Sequence, residues 1–314
     1  PSRRRTCRNR VNMVKESTEI EGQLSLPGTE NSGVVRLCQA EQAIAQGLHV
    51  SVLTILDDQA VAAIEALAEP DLLLRLAGVF HQARHLDRAA QYYRCVLART
   101  PHARACINLA HICSFRGQVS EAIALRHQAL ELGQPEAGLY RDLGCSQIFM
   151  GDKQAGNDSL RRAMTLAPAD SDIHSTYLFR MHYMPDWTPE QIYEEHRRWA
   201  RQHAPLALAQ TSHPNAPDPE RRLRIGYISP DFRSHPVACF FEPLLDRHNR
   251  RGFQMYGYGN VACPDEVTMR LQDKFDTYRP VFGSSDQAIA QQIQADQIDI
   301  LVDLAGHTPG NRLD

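Results

Sequence analysis

From Asp71 to Asp170 apolar residues recur every three or four positions, the spacing that lines one face of a helix, and the whole pattern returns every 33 or 34 residues. Leu76-Ala-x-x-Phe80, Leu109-Ala-x-x-Cys113 and Leu143-Gly-x-x-Gln147 superpose as first helices of helix pairs. Thirteen residues beyond each leucine stand Ala89, Ala122 and Gly156, and twenty beyond stand Val96, Ala129 and Ala163, where helices approach closely. Gly117 and Gly151 suit the turns between paired helices, and Pro101, Pro135 and Pro168 close the units. A single helix pair cannot bury its apolar stripe, so three in register predict a stacked solenoid with a concave face.

On either side the pattern weakens. Val34 to Leu67 reads as two further helices, a degenerate repeat or a cap, and Ser171 to Met184 begins a fourth unit that Pro185 and Pro189 interrupt. Thr188-Pro189-Glu190 then opens a bridging helix as cap, first-turn proline and first-turn acid, running to Ala200.

Beyond residue 222 the period changes. Apolar runs at Leu223–Ser229, Phe253–Asn260, Thr277–Phe282 and Ile298–Leu304 alternate with helical patterns near Cys239–His248, Asp265–Phe275 and Ser285–Gln294. Such alternation predicts a parallel sheet covered on both faces. Right-handed crossovers favour strand order 3-2-1-4, and ligands bind at the carboxyl ends where the winding direction reverses, between strands one and four. The predicted organisation is therefore a tail (1–33), a helical repeat domain with its bridging helix (34–204), a linker rich in Pro, Asn, Asp and Ser (205–222), and an α/β domain (223–314).

The 314 residues, 43% hydrophobic and 23% charged, suffice for two cores. A net charge of -3 offers nothing global to nucleic acid or an anionic membrane, which points to protein or small-molecule partners. Arginines at 3, 4, 5, 8 and 10 precede a polar stretch without the apolar core of a signal peptide, and no window supplies a membrane span of ~20 apolar residues. The eight cysteines form no C-x-x-C pair, so reduced thiols in a cytoplasmic protein are expected, without a zinc site.

The chemistry gathers after strands one and four. His235 and Pro236 follow Leu223-Arg-Ile-Gly-Tyr-Ile-Ser-Pro-Asp-Phe-Arg-Ser, and Gly306-His307-Thr308 follow Ile298-Asp-Ile-Leu-Val-Asp-Leu-Ala, so both loops should border the switch-point crevice. Gly306 leaves the backbone open to substrate, and His307 and Thr308 offer hydrogen-bonding groups. Asp303 reads as a strand-end cap and Arg312 as a solvated side chain. The turn after strand one holds no glycine, which excludes the glycine-rich dinucleotide fingerprint.

The repeat period, small-residue positions and closing prolines resemble the tetratricopeptide repeat. Together with the two histidine-bearing strand ends, they resemble the tetratricopeptide-repeat protein O-linked N-acetylglucosamine transferases of the SPINDLY type, from about Leu72 to Arg312. The resemblance implies a repeat superhelix followed by the N-terminal Rossmann-like half of a GT-B glycosyltransferase. It implies inverting transfer of N-acetylglucosamine from UDP-N-acetylglucosamine to serine or threonine of proteins, with no metal or other cofactor. It also implies acceptor peptides in the repeat groove, nucleotide sugar bound in the full-length parent, and His235 beside the attacking hydroxyl as general base or hydrogen-bond positioner. Family members carry a second Rossmann-like domain that supplies most nucleotide contacts, so the expectation here is a fragment without turnover of its own. The competing class is a non-catalytic repeat adaptor.

Overall fold

A computed structural model of the chain describes residues 30–133, 135–204, 215–218 and 220–313. Most of the predicted tail and linker lie outside the described residues. The chain forms two compact units, residues 1–152 and 153–314. The division falls among the repeat helices.

In the first unit, α1 (Glu30–Ala45) begins inside the stretch expected to be tail, and a 3-10 turn (His49–Ser51) and short α2 (Val52–Ile55) lead to α3 (Asp58–Leu67). Asp57 caps α3, its carboxylate accepting the Ala60 amide at 2.9 Å. The repeat pairs follow as α4 (Pro70–Gln82) with α5 (Leu86–Leu97) and α6 (Ala103–Phe115) with α7 (Val119–Glu131), then α8 (Ala137–Phe149). Gly117 and Gly151 sit at φ 75° and 93°, the left-handed conformation a helix-ending turn requires of a residue without Cβ.

The predicted leucines and small residues form the core: Leu76, Ala89, Val96, Leu109, Ala122 and Ala129 are buried against one another's helices. One charge is buried with them. The Arg126 guanidinium donates to Ser146 Oγ and Ser114 Oγ at 2.9 Å each, so hydroxyls from neighbouring helices hold it, and burial pushes its pKa down. Ala122 has no exposed surface, and Ala122→Phe is expected to overpack the α6–α7 contact at a cost of ~1–3 kcal/mol. Urea denaturation reads this directly; an unshifted midpoint would contradict the close approach.

The second unit starts with α9 (Lys153–Leu166), α10 (Ser171–Met181) and α11 (Pro189–His203). The predicted start of α11 is a capping box: Thr188 Oγ1 accepts the Gln191 amide at 3.3 Å and Gln191 Oε1 accepts the Thr188 amide at 2.9 Å. Then β1 (Leu223–Ser229), α12 (Pro236–Arg247), β2 (Phe253–Gly259), α13 (Glu266–Gln272), β3 (Thr277–Pro280), α14 (Asp286–Ala295) and β4 (Ile300–Asp303) alternate as expected.

The four strands are parallel in the order β3-β2-β1-β4, the predicted one. Ile225, Tyr227, Met255, Phe241 and Phe275 fill one face, and Ile228, Tyr256, Tyr258, Val281 and Ile289 fill the other. Gly257 makes the first face fit, since a Cβ there would stand 2.7–2.9 Å from the Phe275 ring. At the β4 edge the expected cover on both faces is incomplete: Ile300 and Leu301 are 46% and 48% exposed. Among the described residues β4 is an edge strand, paired with β1 alone.

Candidate functional site at the carboxyl ends of the strands

The loop after β1 is fixed from beneath. Phe232 is fully buried, its ring centroid 5.4 Å from Phe241 and 5.5 Å from Phe275. Ser229 Oγ accepts the Asp231 amide at 3.0 Å, and Asp265 Oδ2 accepts the Ser234 amide at 2.7 Å. Asp265 also caps α13 through Thr268, and these amides hold its carboxyl below the usual carboxylate range. The loop thus delivers His235, about one-third exposed, to the N-cap of α12, with Pro236 as first helical residue.

The loop after β4 is braced by Asp303, whose Oδ1 accepts the amides of Ala305 at 3.0 Å and Gly306 at 2.5 Å, the expected strand-end cap. Gly306 is at φ 54° with open space over its Cα. Thr308 Oγ1 donates to Ala305 O at 2.8 Å, which leaves its lone pairs as acceptors. The loops of β1 and β4 meet where a Cβ at Gly310 would lie 3.1 Å from Pro230 Cβ.

His307 turns to the helices of its own unit. Its Nδ1 pairs with Ser175 Oγ at 3.0 Å, and its ring lies 4.8 Å from Trp199 and 5.0 Å from His196. Next to it His174 sets Nδ1 3.1 Å from His203 Nε2 and Nε2 3.1 Å from Glu195 Oε1. Burial, then the neighbouring His196, His174 and His182, push the His307 pKa down to about 4, so it is neutral at pH 7.

Arg312 departs from its expected solvated state. Only 17% of its side chain is exposed; it pairs with Asp286 at 2.6 Å and donates to Asn260 Oδ1 at 3.2 Å, while Asn260 Nδ2 donates to Gly310 O at 2.9 Å. Charge complementarity to Asp286 and two carbonyl-type acceptors, Asn260 Oδ1 and Ser284 O, draws it in, tying together segments that follow β2, β3 and β4. Sequence reasoning also passed over Asp231, buried beside His235, because an acidic residue four positions before a histidine reads as loop polarity. Among the described residues no group of three or more His, Cys, Asp or Glu is placed to hold a metal ion, and no helix is long and apolar enough to cross a membrane.

The region that holds this strand, loop and histidine-capped helix is similar in sequence to known proteins. The model of glycosyl transferase family 41 matches residues 201–314, and a tetratricopeptide repeat model matches residues 105–140. The chain carries a family 41 segment behind tetratricopeptide repeats. The probable UDP-N-acetylglucosamine peptide N-acetylglucosaminyltransferase SPINDLY of Solanum lycopersicum is 33% identical over 154 residues, 48% of this chain and 16% of the relative. Its Arabidopsis thaliana counterpart is 35% identical over 150 residues, 46% of this chain and 16% of the relative. An O-GlcNAc transferase mutant from Thermobaculum terrenum superposes with a TM-score of 0.68 at 30% identity, over 79% of this chain and 48% of that one. The chain thus spans about one-sixth of the curated relatives' length and about half of the solved neighbour.

Proposed function

We propose that the chain supplies the peptide-presenting repeats and the His235 wall of a transferase that moves N-acetylglucosamine from UDP-N-acetylglucosamine to serine or threonine hydroxyls of proteins. The observation that carries this reading is the histidine cap of α12 at the carboxyl edge of the β3-β2-β1-β4 sheet, in a segment matched by family 41. The SPINDLY relatives and the Thermobaculum transferase support the sugar and the nucleotide. The reaction is a single displacement: the acceptor oxygen bonds to the anomeric carbon as that carbon's bond to the UDP phosphate oxygen breaks, and the hydroxyl proton passes to the departing phosphate. In this reading His235 and Pro236 form one wall of the acceptor side. Gly306 offers open backbone, Thr308 a hydroxyl acceptor, and His307 anchors their loop. No metal or other cofactor takes part.

The test is a fusion of residues 1–314 to the complementary part of the Thermobaculum transferase, assayed for UDP-N-acetylglucosamine-dependent labelling of a serine-containing peptide. Labelling by the fusion is expected, with no turnover and no micromolar UDP affinity in residues 1–314 alone. A fusion that folds and binds UDP yet transfers nothing overturns the enzyme reading; if it still binds peptide, the chain is a repeat adaptor.

A further inference from the structure

We propose that His235 serves its site as a hydrogen-bond donor, presenting Nε2–H to a substrate oxygen, and is not the base that removes the acceptor's proton. The proposal rests on the transferase reading only for the identity of that oxygen.

The tautomer follows from the start of α12. His235 Nδ1 lies 3.3 Å from the Val237 amide, which donates to it. A nitrogen that accepts carries a lone pair, so in the neutral ring the proton sits on Nε2. The chain enforces this arrangement. Pro236, first in the helix, has no N–H, and Ala238 N already donates to His235 O at 3.0 Å. The Val237 amide, left without a carbonyl at the helix start, is satisfied by the imidazole. The alternative tautomer would set two N–H groups against each other.

The arrangement that makes a histidine a base is nearby and unmade. An acid that accepts from Nδ1–H would fix the proton there and leave Nε2 as a lone pair. Asp231 Oδ2 is 3.6 Å from Nδ1, beyond a hydrogen bond, and Arg233 reaches the other carboxylate oxygen at 3.4 Å. The backbone amide therefore fixes the tautomer opposite to that of an acid–histidine–nucleophile chain. The geometry also favours the donor: His235 stands at the positive end of a twelve-residue helix, where electron-rich oxygens are stabilised. With Phe232 buried beneath the loop, the donor is pre-oriented, as charge-stabilising donors need to be. The oxygen it suits is one with available lone pairs, a phosphate oxygen of the nucleotide sugar or a hydroxyl of the acceptor.

Long-range proton–nitrogen spectra of residues 1–314 read the tautomer without any turnover. A His235 signature with Nε2 protonated and Nδ1 bare is expected; an Nδ1–H signature overturns the proposal. In the fusion described above, His235→Gln, which places an amide N–H near Nε2, is expected to keep kcat/KM within about tenfold, and Asp231→Asn to change it only a few-fold. His235→Asn caps the helix but falls short of the crevice, and it is expected to hold Tm while losing ~10²–10³-fold in turnover. A collapse on the order of 10⁴-fold for Asp231→Asn would reveal a base oriented by that carboxylate. Full turnover in His235→Asn would reduce the histidine to a helix cap. Titrating the fusion with UDP and, separately, acceptor peptide identifies the oxygen by which one shifts the Nε2–H signal; a signal moved by neither overturns the donor role. A fusion with unchanged His235 and no turnover defeats the transferase reading alone, since the spectrum still reports the tautomer.

Discussion

Asp299→Ala is expected to destabilise the α/β unit by about 2–4 kcal/mol, because one carboxylate there satisfies donors from three residues. Asp299 accepts from Arg221 Nη1 at 2.7 Å and Nη2 at 2.5 Å, from Asn215 Nδ2 at 2.5 Å and from the Arg224 amide at 2.8 Å. Its side chain is only 9% exposed. Removing it strands the amide at the start of β1 and takes the carboxylate from the Arg221 guanidinium, which keeps only the Ala216 and Arg222 carbonyls. These hydrogen bonds, led by Arg221, hold the Asp299 carboxyl far below the usual carboxylate range. A group depressed in the folded state contributes stability that is present above its unfolded pKa of ~3.9 and lost as pH falls toward the folded value. Thermal unfolding at pH 7 checks the first expectation: Asp299→Ala should melt well below wild type and Asp299→Asn between them. Equal melting temperatures would show that Arg224 and Arg221 find other partners.

The second large effect lies at higher pH. His307 is held neutral, with its pKa down to about 4, while an unfolded histidine titrates near 6.5. Between those values the unfolded chain binds the proton that the folded chain refuses, so stability is complete above about pH 6.5 and falls on acidification toward pH 4. The groups facing His307 sharpen this. His196 and Trp199 come from α11 and Ser175 from α10; His174 and His182 repel a charge there, while Glu195 is engaged by His174 and by Arg198. His174 is itself pushed down, chiefly by burial. Discounted for partial exposure, His307 should contribute about 1 kcal/mol of the stability lost between pH 7.5 and pH 5. Melting curves at the two pH values should show His307→Gln losing less on acidification than wild type; parallel losses would place the acid sensitivity elsewhere.

The architecture was legible because period and handedness are physical constraints that a single chain displays. Alternating β and α patterns with right-handed crossovers leave few strand orders, and the 33–34-residue repeat leaves few ways to bury Leu76, Leu109 and Leu143. Boundaries were less so. The helix after β1 begins at Pro236, not Cys239, because its first turn is set by a proline and an imidazole cap, while the apolar pattern starts later. At the candidate site, positions along the chain could be read but partners could not. His307 meets Ser175 from 132 residues away, and Arg312 is drawn in by Asn260, 52 residues earlier; no local pattern announces such pairs.

The open flank of β4 bears on the fate of the chain in a cell. Ile300 and Leu301 stay half-exposed on a strand whose outer edge meets no further strand among the described residues. Quality-control machinery that recognises such sequence would treat the folded unit as immature until that flank is covered. Steady-state abundance of these residues would then be set by how fast the flank is covered, not by the stability of the two cores beneath it.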